Sequence, residues 1–106
     1  MAWAWLFTAG FFEICATTAF RFTDGFTKFW PTVAFIGTGI ASFVALQASL
    51  SGIPLGTAYA VWTGVGAAGT AVLGFWLFGE PATTWRILFL FLLIGSVIGL
   101  KFVSAN

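Results

Sequence analysis

SLSGIPLG (residues 49–56) lies within the longest stretch of this chain that carries no charged side chain, residues 29–79. A membrane-spanning helix needs about 20 mostly apolar residues, so a stretch of this length holds more than one span. The serines, the glycines and Pro54 of this segment are typical of a turn. The sequence therefore predicts two helices, over residues 29–50 and 55–78, with a short connection between them.

The composition indicates a protein that is embedded in a membrane. Hydrophobic residues make up 60% of the 106 residues, charged residues make up 7%, and the mean hydropathy is +1.05. A soluble domain carries about a quarter charged residues, so lipid is expected to cover most of this surface. The formal net charge of +1 gives no electrostatic basis for binding nucleic acid.

The positions of the charged side chains set the remaining boundaries. They are Glu13, Arg21, Asp24, Lys28, Glu80, Arg86 and Lys101. A first helix is predicted over residues 2–20 and a fourth over residues 84–103, with polar loops at 21–28 and 79–84. We expect residues 1–106 to form one transmembrane domain, an up-and-down bundle of four helices with both termini on one side.

Signals for membrane targeting are weak. No cleavable signal peptide is expected, because the N-terminus lacks a basic region and its apolar stretch carries an acid. Three basic residues on the side opposite the termini, against one on the terminal side, favour a cytoplasmic 21–28 loop. The difference is small, so insertion in both orientations stays open.

Glu13, in GFFEICATT (10–18), is the only acid inside a predicted span. Ionisable groups at this depth are costly and mark substrate or proton pathways. The alternative is an assembly role, in which Glu13 forms hydrogen bonds with a neighbouring helix. The small residues one helical turn away, which include Gly10, Ala16 and Thr17, allow either close helix approach or a cavity.

A carboxylate at this depth loses hydration, which favours its neutral form and allows proton exchange near neutral pH. Glu13 is also the only fixed negative charge in the spans, so we predict that it binds protons and cations in turn. Four helices with one acid are too few to enclose a cation, so at least a dimer is expected.

The other helices supply further candidates. Tyr59 and Trp62 share a helix face, and rings beside a carboxylate suit organic cations; an interfacial aromatic belt is the alternative. Gly64 and Gly66 mark either a hinge or close packing. Ser42 can donate either to Glu13 or to the backbone of its own helix.

The fourth helix contains GSVIG (95–99), in which Gly95 and Gly99 form a G-x-x-x-G pattern. This pattern is typical of close helix pairing in membranes. It predicts that the fourth helix serves assembly rather than transport.

DGFTKFWP (24–31) and IPLGTAYAVWTGVG (53–66), together with four short spans and Glu13 in the first, resemble the small multidrug resistance family over essentially the whole chain. The resemblance implies antiparallel, dual-topology homodimers in the bacterial inner membrane. It further implies exchange of protons for small organic cations, a pocket formed by the first three helices, and subunit pairing through the fourth.

The resemblance also implies roles for individual residues. Glu13 matches the family's essential carboxylate, Tyr59 and Trp62 match its pocket aromatics, and Ser42 matches a pocket serine. Gly64–Gly66 matches the kink in its third helix. The full predicted pocket is Glu13 with Gly10, Ala16, Thr17, Gly39, Ser42, Tyr59 and Trp62, and no cofactor or metal is expected.

The substrate signals are divided. TAYAVWTGVGA (57–67) and IGLK (98–101) are similar to the guanidinium-exporting branch, which usually has a Trp where this chain has Ala16. CATT (15–18) is closer to the multidrug branch, which often has a Tyr at the position of Gly39. Without that Trp, a roomier pocket is expected, so export of quaternary ammonium or substituted guanidinium ions is the main prediction. A selective guanidinium/proton exporter is the alternative.

Other classes of protein have less support. An enzymatic function has little support, because the sequence contains no His, no metal-binding cluster and no nucleophile beside a base. A passive channel would need a polar ring that the spans do not supply. A membrane assembly factor stays open, and it would tolerate Glu13→Gln because the amide still forms hydrogen bonds.

Overall fold

The computed structural model describes residues 1–103 and is all-α. Its four helices are α1 (Ala2–Phe22), α2 (Phe29–Ser49), α3 (Leu55–Leu77) and α4 (Thr84–Val103). These bounds differ from the predicted ones by no more than two residues. A helix of about 20 residues is about 30 Å long, which matches the hydrocarbon thickness of a bilayer.

Three of the four helices, α2, α3 and α4, are long and apolar enough to cross a membrane. Helix α1 has a similar length of 21 residues but falls outside this group. Glu13 lowers its mean hydropathy, since a charged residue is the costliest type in a span. The residue that makes α1 a candidate for function is therefore also the one that weakens its membrane signal.

The short connections hold the helices antiparallel. Ser49 ends α2, Pro54 precedes α3, and the buried Ile53 anchors the turn between them. The α1–α2 loop has three consecutive residues with positive φ, at Asp24, Gly25 and Phe26. A bulky residue rarely adopts this conformation. The Phe26 ring packs between Phe20 and Phe35, with centroids 5.7 and 5.8 Å away, which holds the loop against the bundle.

Helix α1 lies between α2 and α3, while α4 packs on α3. The molecule is flat, with dimensions of 43 × 35 × 16 Å. At its end α4 also reaches α1, where the Lys101 ammonium lies 5.5 Å from the centroid of the Trp3 ring. This contact puts the two ends of the described chain on the same side, as predicted for an up-and-down bundle.

The apolar core occupies only the half of the bundle that contains the N-terminus and the α2–α3 turn. Its buried members are Leu6, Ala9, Ala45, Leu46, Ile53, Ala58, Val61, Trp62 and Val97. The opposite half, toward the α1–α2 loop, holds an open cavity instead. Glu13 lies where the packed half meets the open half.

Candidate functional site around Glu13

Glu13 lies in a cavity of about 900 Å³, called the Glu13 cavity below. Its walls come from α1 between positions 13 and 21, the α1–α2 loop, α3 between positions 59 and 71, and Phe78 and Glu80. The Glu13 side chain is partly buried. Within residues 1–103 its carboxylate makes no hydrogen bond or ion pair. A carboxylate held in this way is available to a proton or to a cationic ligand.

Gly66 provides the surface on which Glu13 rests. A Cβ atom at Gly66 would lie 2.7 Å from Cγ of Glu13, which is closer than real Cβ contacts allow. Two further pairs, Gly10 with Val65 and Gly69 with Ile14, bring α1 and α3 equally close. The missing side chains therefore set the distance between Glu13 and α3.

The glycines of α3 support the close-packing interpretation. Gly64 receives a methyl group of Val97 from α4, since a Cβ at this position would lie 2.5 Å from it. Helix α3 is continuous from Leu55 to Leu77 across both Gly64 and Gly66. Gly64 and Gly66 each have a packing partner, and a kink at this segment stays a prediction.

A chain of two hydrogen bonds connects three helices beside the cavity. The Trp62 indole N–H donates to Oγ of Ser42 over 2.8 Å, and the Ser42 hydroxyl donates to the carbonyl of Ala9 over 2.7 Å. Trp62 is 7% exposed and Ser42 is fully buried. Ser42 therefore donates to neither predicted partner, because the small Ala9 side chain leaves the α1 carbonyl accessible to α2.

This chain ends at the helical turn that carries Glu13. In an α-helix the N–H of residue 13 bonds to the carbonyl of residue 9, which is the same oxygen that accepts from Ser42. The position of Trp62 is thus linked through Ser42 to the backbone of the Glu13 turn. Because its N–H is already used, Trp62 presents its ring rather than a donor.

Two aromatic rings, Tyr59 and Trp62, line the cavity, and Phe43 packs on Trp62 outside it. The centroid of Trp62 lies 5.3 Å from that of Phe43 and 5.5 Å from that of Tyr59. Tyr59 is 57% exposed, and within residues 1–103 its hydroxyl has no hydrogen-bond partner. Tyr59 and Trp62 line the cavity that Glu13 also lines. Aromatic faces beside a carboxylate suit an organic cation.

The structure distributes the other predicted pocket residues unevenly. Thr17 lines the Glu13 cavity, although its hydroxyl donates to the carbonyl of Glu13 over 2.9 Å. Gly10 is buried against α3, Ala16 is 3% exposed, and neither lines the cavity. Gly39 is partly buried and also lies outside it. Space beside Glu13 therefore comes from Gly66 rather than from Ala16. The pocket roles of Gly10, Ala16 and Gly39 stay predictions.

Gly95 and Gly99 lie on an open side of α4. A Cβ atom at either position would meet nothing within 4 Å among the described residues. Val97 is the only residue of α4 that is buried in the part of the chain described. Pairing through this glycine motif stays a prediction.

Sequence reasoning did not find the polar residues at the end of the cavity near the α1–α2 loop, called the loop end below. Arg21, Asp24 and Glu80 line it, although the sequence places Asp24 and Glu80 in loops. Thr70 also lines it, and it follows Gly66 by four residues on the same face of α3. The spacing of Tyr59, Gly66 and Thr70 could have identified this face from the sequence.

Comparison with known proteins decides the family. Residues 1–93 match the sequence model of the family described as Small Multidrug Resistance protein. The chain belongs to the Small Multidrug Resistance family. As a family member it is a multi-pass transporter of the inner membrane, which confirms the resemblance seen in the sequence.

Similar Small Multidrug Resistance proteins are named guanidinium exporters. The one from Proteus vulgaris is 43% identical over 104 residues, which cover 98% of this chain and 100% of the relative. The one from Yersinia pestis is 42% identical over 104 residues, with the same coverage. The one from Citrobacter freundii is 42% identical over 101 residues, covering 95% and 96% of the two chains.

Proposed function

We propose that this chain exports guanidinium ions and takes up protons in exchange, with Glu13 as the site that both occupy. The main support is the position of the Glu13 carboxylate, which lies on Gly66 in an open cavity. Within residues 1–103 it has no hydrogen-bond or ion-pair partner. The names of the relatives favour guanidinium, which was the alternative in the sequence reading, over a broad range of organic cations.

The hydrogen-bond acceptors at Glu13 and Tyr59 fit a planar cation. A guanidinium group presents N–H donors in a fixed plane and pairs with a carboxylate through two parallel hydrogen bonds. The rings of Tyr59 and Trp62 offer apolar faces, and the Tyr59 hydroxyl oxygen offers a further acceptor. A protonated Glu13 has lost the charge that holds the cation, so the two ligands compete for one site.

We further propose that two copies assemble in antiparallel orientation, with both Glu13 residues serving one pocket. Two features of the single chain support this assembly. The Glu13 cavity is open at the surface of the flat bundle, and α4 leaves most of its apolar surface exposed. A second copy that covers these surfaces would close the Glu13 cavity against lipid, and the small Gly95 and Gly99 on the open side of α4 would allow close packing between helices.

A broader exporter of organic cations is the second candidate. The observation that favours it is the cavity volume of about 900 Å³, which is far larger than a guanidinium ion requires. Bulky quaternary ammonium ions would pair with the same carboxylate and lie against the same rings.

The test uses purified protein in vesicles and measures charge movement on a solid-supported membrane. Guanidinium, an alkyl guanidinium and a quaternary ammonium ion are compared in one preparation under an imposed proton gradient. We expect the largest response to guanidinium. A response to the quaternary ammonium ion that equals it would establish the second candidate instead.

Glu13→Gln tests the shared site in the same assay. The variant should insert and fold but show no proton-driven current. Cys15→Ala is a suitable control, because Cys15 lies two residues away on α1 and does not line the cavity. Full coupled transport by Glu13→Gln would exclude Glu13 as the exchange site.

A further inference from the structure

Glu80 folds back onto the end of α3. Gly79 has a φ of 65°, which reverses the chain after the helix, and the Glu80 N–H donates to the carbonyl of Gly74 over 3.1 Å. A Cβ atom at Gly74 would lie 2.5 Å from Oε1 of Glu80 and 2.8 Å from its Cδ. The carboxylate therefore occupies space that only a glycine leaves free, at the loop end of the Glu13 cavity.

This placement is electrostatically unfavourable without a cation. The C-terminal end of a helix carries partial negative charge, which repels a carboxylate. Arg21 of α1 lines the Glu13 cavity together with Glu80, and Arg86 of α4 lines another pocket together with Glu80, yet within residues 1–103 Glu80 forms no ion pair with either. The Arg21 guanidinium instead lies over the Phe78 ring, 5.0 Å from its centroid.

Thr70 supplies a second group that lacks a partner. Its Oγ1 is buried and has no hydrogen-bond partner among the described residues, whereas Thr17 and Thr18 donate to the carbonyl one turn earlier. Thr70 is one turn from Gly66 and one turn from Gly74, so it lies between the Glu13 and Glu80 ends of the cavity. A buried hydroxyl without a partner costs stability unless a ligand or water satisfies it.

We propose that the Glu80 carboxylate and the Thr70 hydroxyl form a second cation site at the loop end of the Glu13 cavity, which holds a guanidinium-type ion before or after it occupies Glu13. The choice of guanidinium rests on the proposed function. The Arg21 guanidinium over the Phe78 ring indicates that this end of the cavity accommodates such a group, and an entering ion would pair with the Glu80 carboxylate rather than with that ring. Eight residues separate Gly66 from Gly74, so the two sites are about 12 Å apart along α3 and one ion cannot occupy both.

An NMR titration tests the second site independently of proton exchange at Glu13. Guanidinium chloride is titrated into labelled Glu13→Gln protein in bicelles, and sodium chloride of equal ionic strength serves as the reference. The NMR signals of the Glu80 carboxyl carbon and the Thr70 methyl group should shift with guanidinium but not with sodium. In Glu13→Gln/Glu80→Gln the Thr70 shift should disappear.

Two outcomes of the titration overturn the second site. One is the absence of a guanidinium-specific shift at Thr70, and the other is a Thr70 shift that persists without the Glu80 carboxylate. Because Glu13 is already disabled, these results do not depend on proton coupling. Failure of the transport assay with intact NMR shifts would therefore reject the proposed function and keep the second site.

Transport kinetics give an independent readout. Glu80→Gln should raise the KM for guanidinium about two- to fivefold, as expected for loss of one exposed ion pair, with little change in the maximal rate. Thr70→Val keeps the shape of the side chain and should raise KM less. Asp24→Asn removes the same charge from the same end of the cavity. If Asp24→Asn raised KM as much as Glu80→Gln, the effect would come from the general negative potential at this end of the cavity, and the proposed Glu80–Thr70 site would be wrong.

Discussion

Ser42 donates its hydroxyl proton to the carbonyl of Ala9, which lies 33 positions earlier on another helix, at a distance of 2.7 Å. The same Ser42 oxygen accepts the indole N–H of Trp62. One buried side chain thus connects α1, α2 and α3 immediately beside the turn that positions Glu13. Ser42, whose pocket role stays a prediction, bonds here to the backbone of α1 rather than to the Glu13 carboxylate.

Ser42→Ala should lower the free energy of unfolding by about 1–3 kcal/mol, because the buried Trp62 N–H then lacks an acceptor. Chemical denaturation in detergent, followed by tryptophan fluorescence, measures this change. Ser96→Ala is the matched control, since Ser96 is exposed and only donates to the Leu92 carbonyl of its own helix. Ser42→Ala/Trp62→Phe should cost less than the sum of the single changes, because no donor is left unpaired. If the losses in free energy of unfolding were strictly additive, Ser42 and Trp62 would not be coupled.

Gly66→Ala should displace the Glu13 side chain while α3 stays helical. The new methyl group would lie 2.7 Å from Cγ of Glu13, so the carboxylate must move by about an ångström. A shift of this size in a binding group can reduce transport about 10- to 100-fold. Gly37→Ala is the control, because a Cβ at Gly37 would meet nothing within 4 Å in the described part of the chain. Transport by Gly66→Ala at the level of Gly37→Ala would show that Gly66 does not position Glu13.

Gly74→Ala should reproduce the effect of Glu80→Gln without changing any charge. The added methyl group takes the space of the Glu80 carboxylate, which is the mobile end of a side chain and can move away without unfolding the helix. We expect KM for guanidinium to rise about two- to fivefold, as for the loss of one exposed ion pair. The assay is concentration-dependent current in vesicles. An unchanged KM for Gly74→Ala, together with a raised KM for Glu80→Gln, would mean that the Glu80 carboxylate acts from another position.

Gly95→Leu/Gly99→Leu should reduce the dimer fraction in bilayers and leave the helical content of the single chain unchanged. A Cβ at either position would meet nothing within 4 Å among residues 1–103, so the expected disturbance is to a contact with another chain. Energy transfer between labelled subunits in vesicles measures the association. Gly56→Leu, an equally bulky change at another open position, is the control. Equal association of the two variants would exclude the glycine motif from the interface.

Much of the fold could be predicted from the positions of charges and breaks. Glu13 falls inside an apolar stretch, and SLSGIPLG divides the uncharged segment at the place where α2 ends and α3 begins. Helix periodicity also places Tyr59 and Trp62 on one face, and both line the Glu13 cavity. These predictions depend only on local sequence and on the thickness of the bilayer.

The details of the site depend on contacts between helices, which local sequence does not encode. Ser42 has several acceptors within reach of its helix face, and only the approach of α2 to Ala9 selects one of them. Ala16 and Gly66 are both small, but the rotation of α1 and α3 puts only Gly66 against Glu13. Glu80 lies in a predicted loop, and the reversal at Gly79 is what returns it to the cavity.

The confinement of the apolar core to one half of the bundle has a dynamic consequence. The end with Leu6, Ala45 and Val61 is tightly packed, whereas the end beyond Glu13 encloses an open volume. Backbone amides of α1 near Leu6 should therefore exchange hydrogen with deuterium more slowly than amides near Phe20. Any widening of the cavity should pivot about the packed end. The helices would then separate more at the α1–α2 loop than at Glu13, which lies next to the packed core.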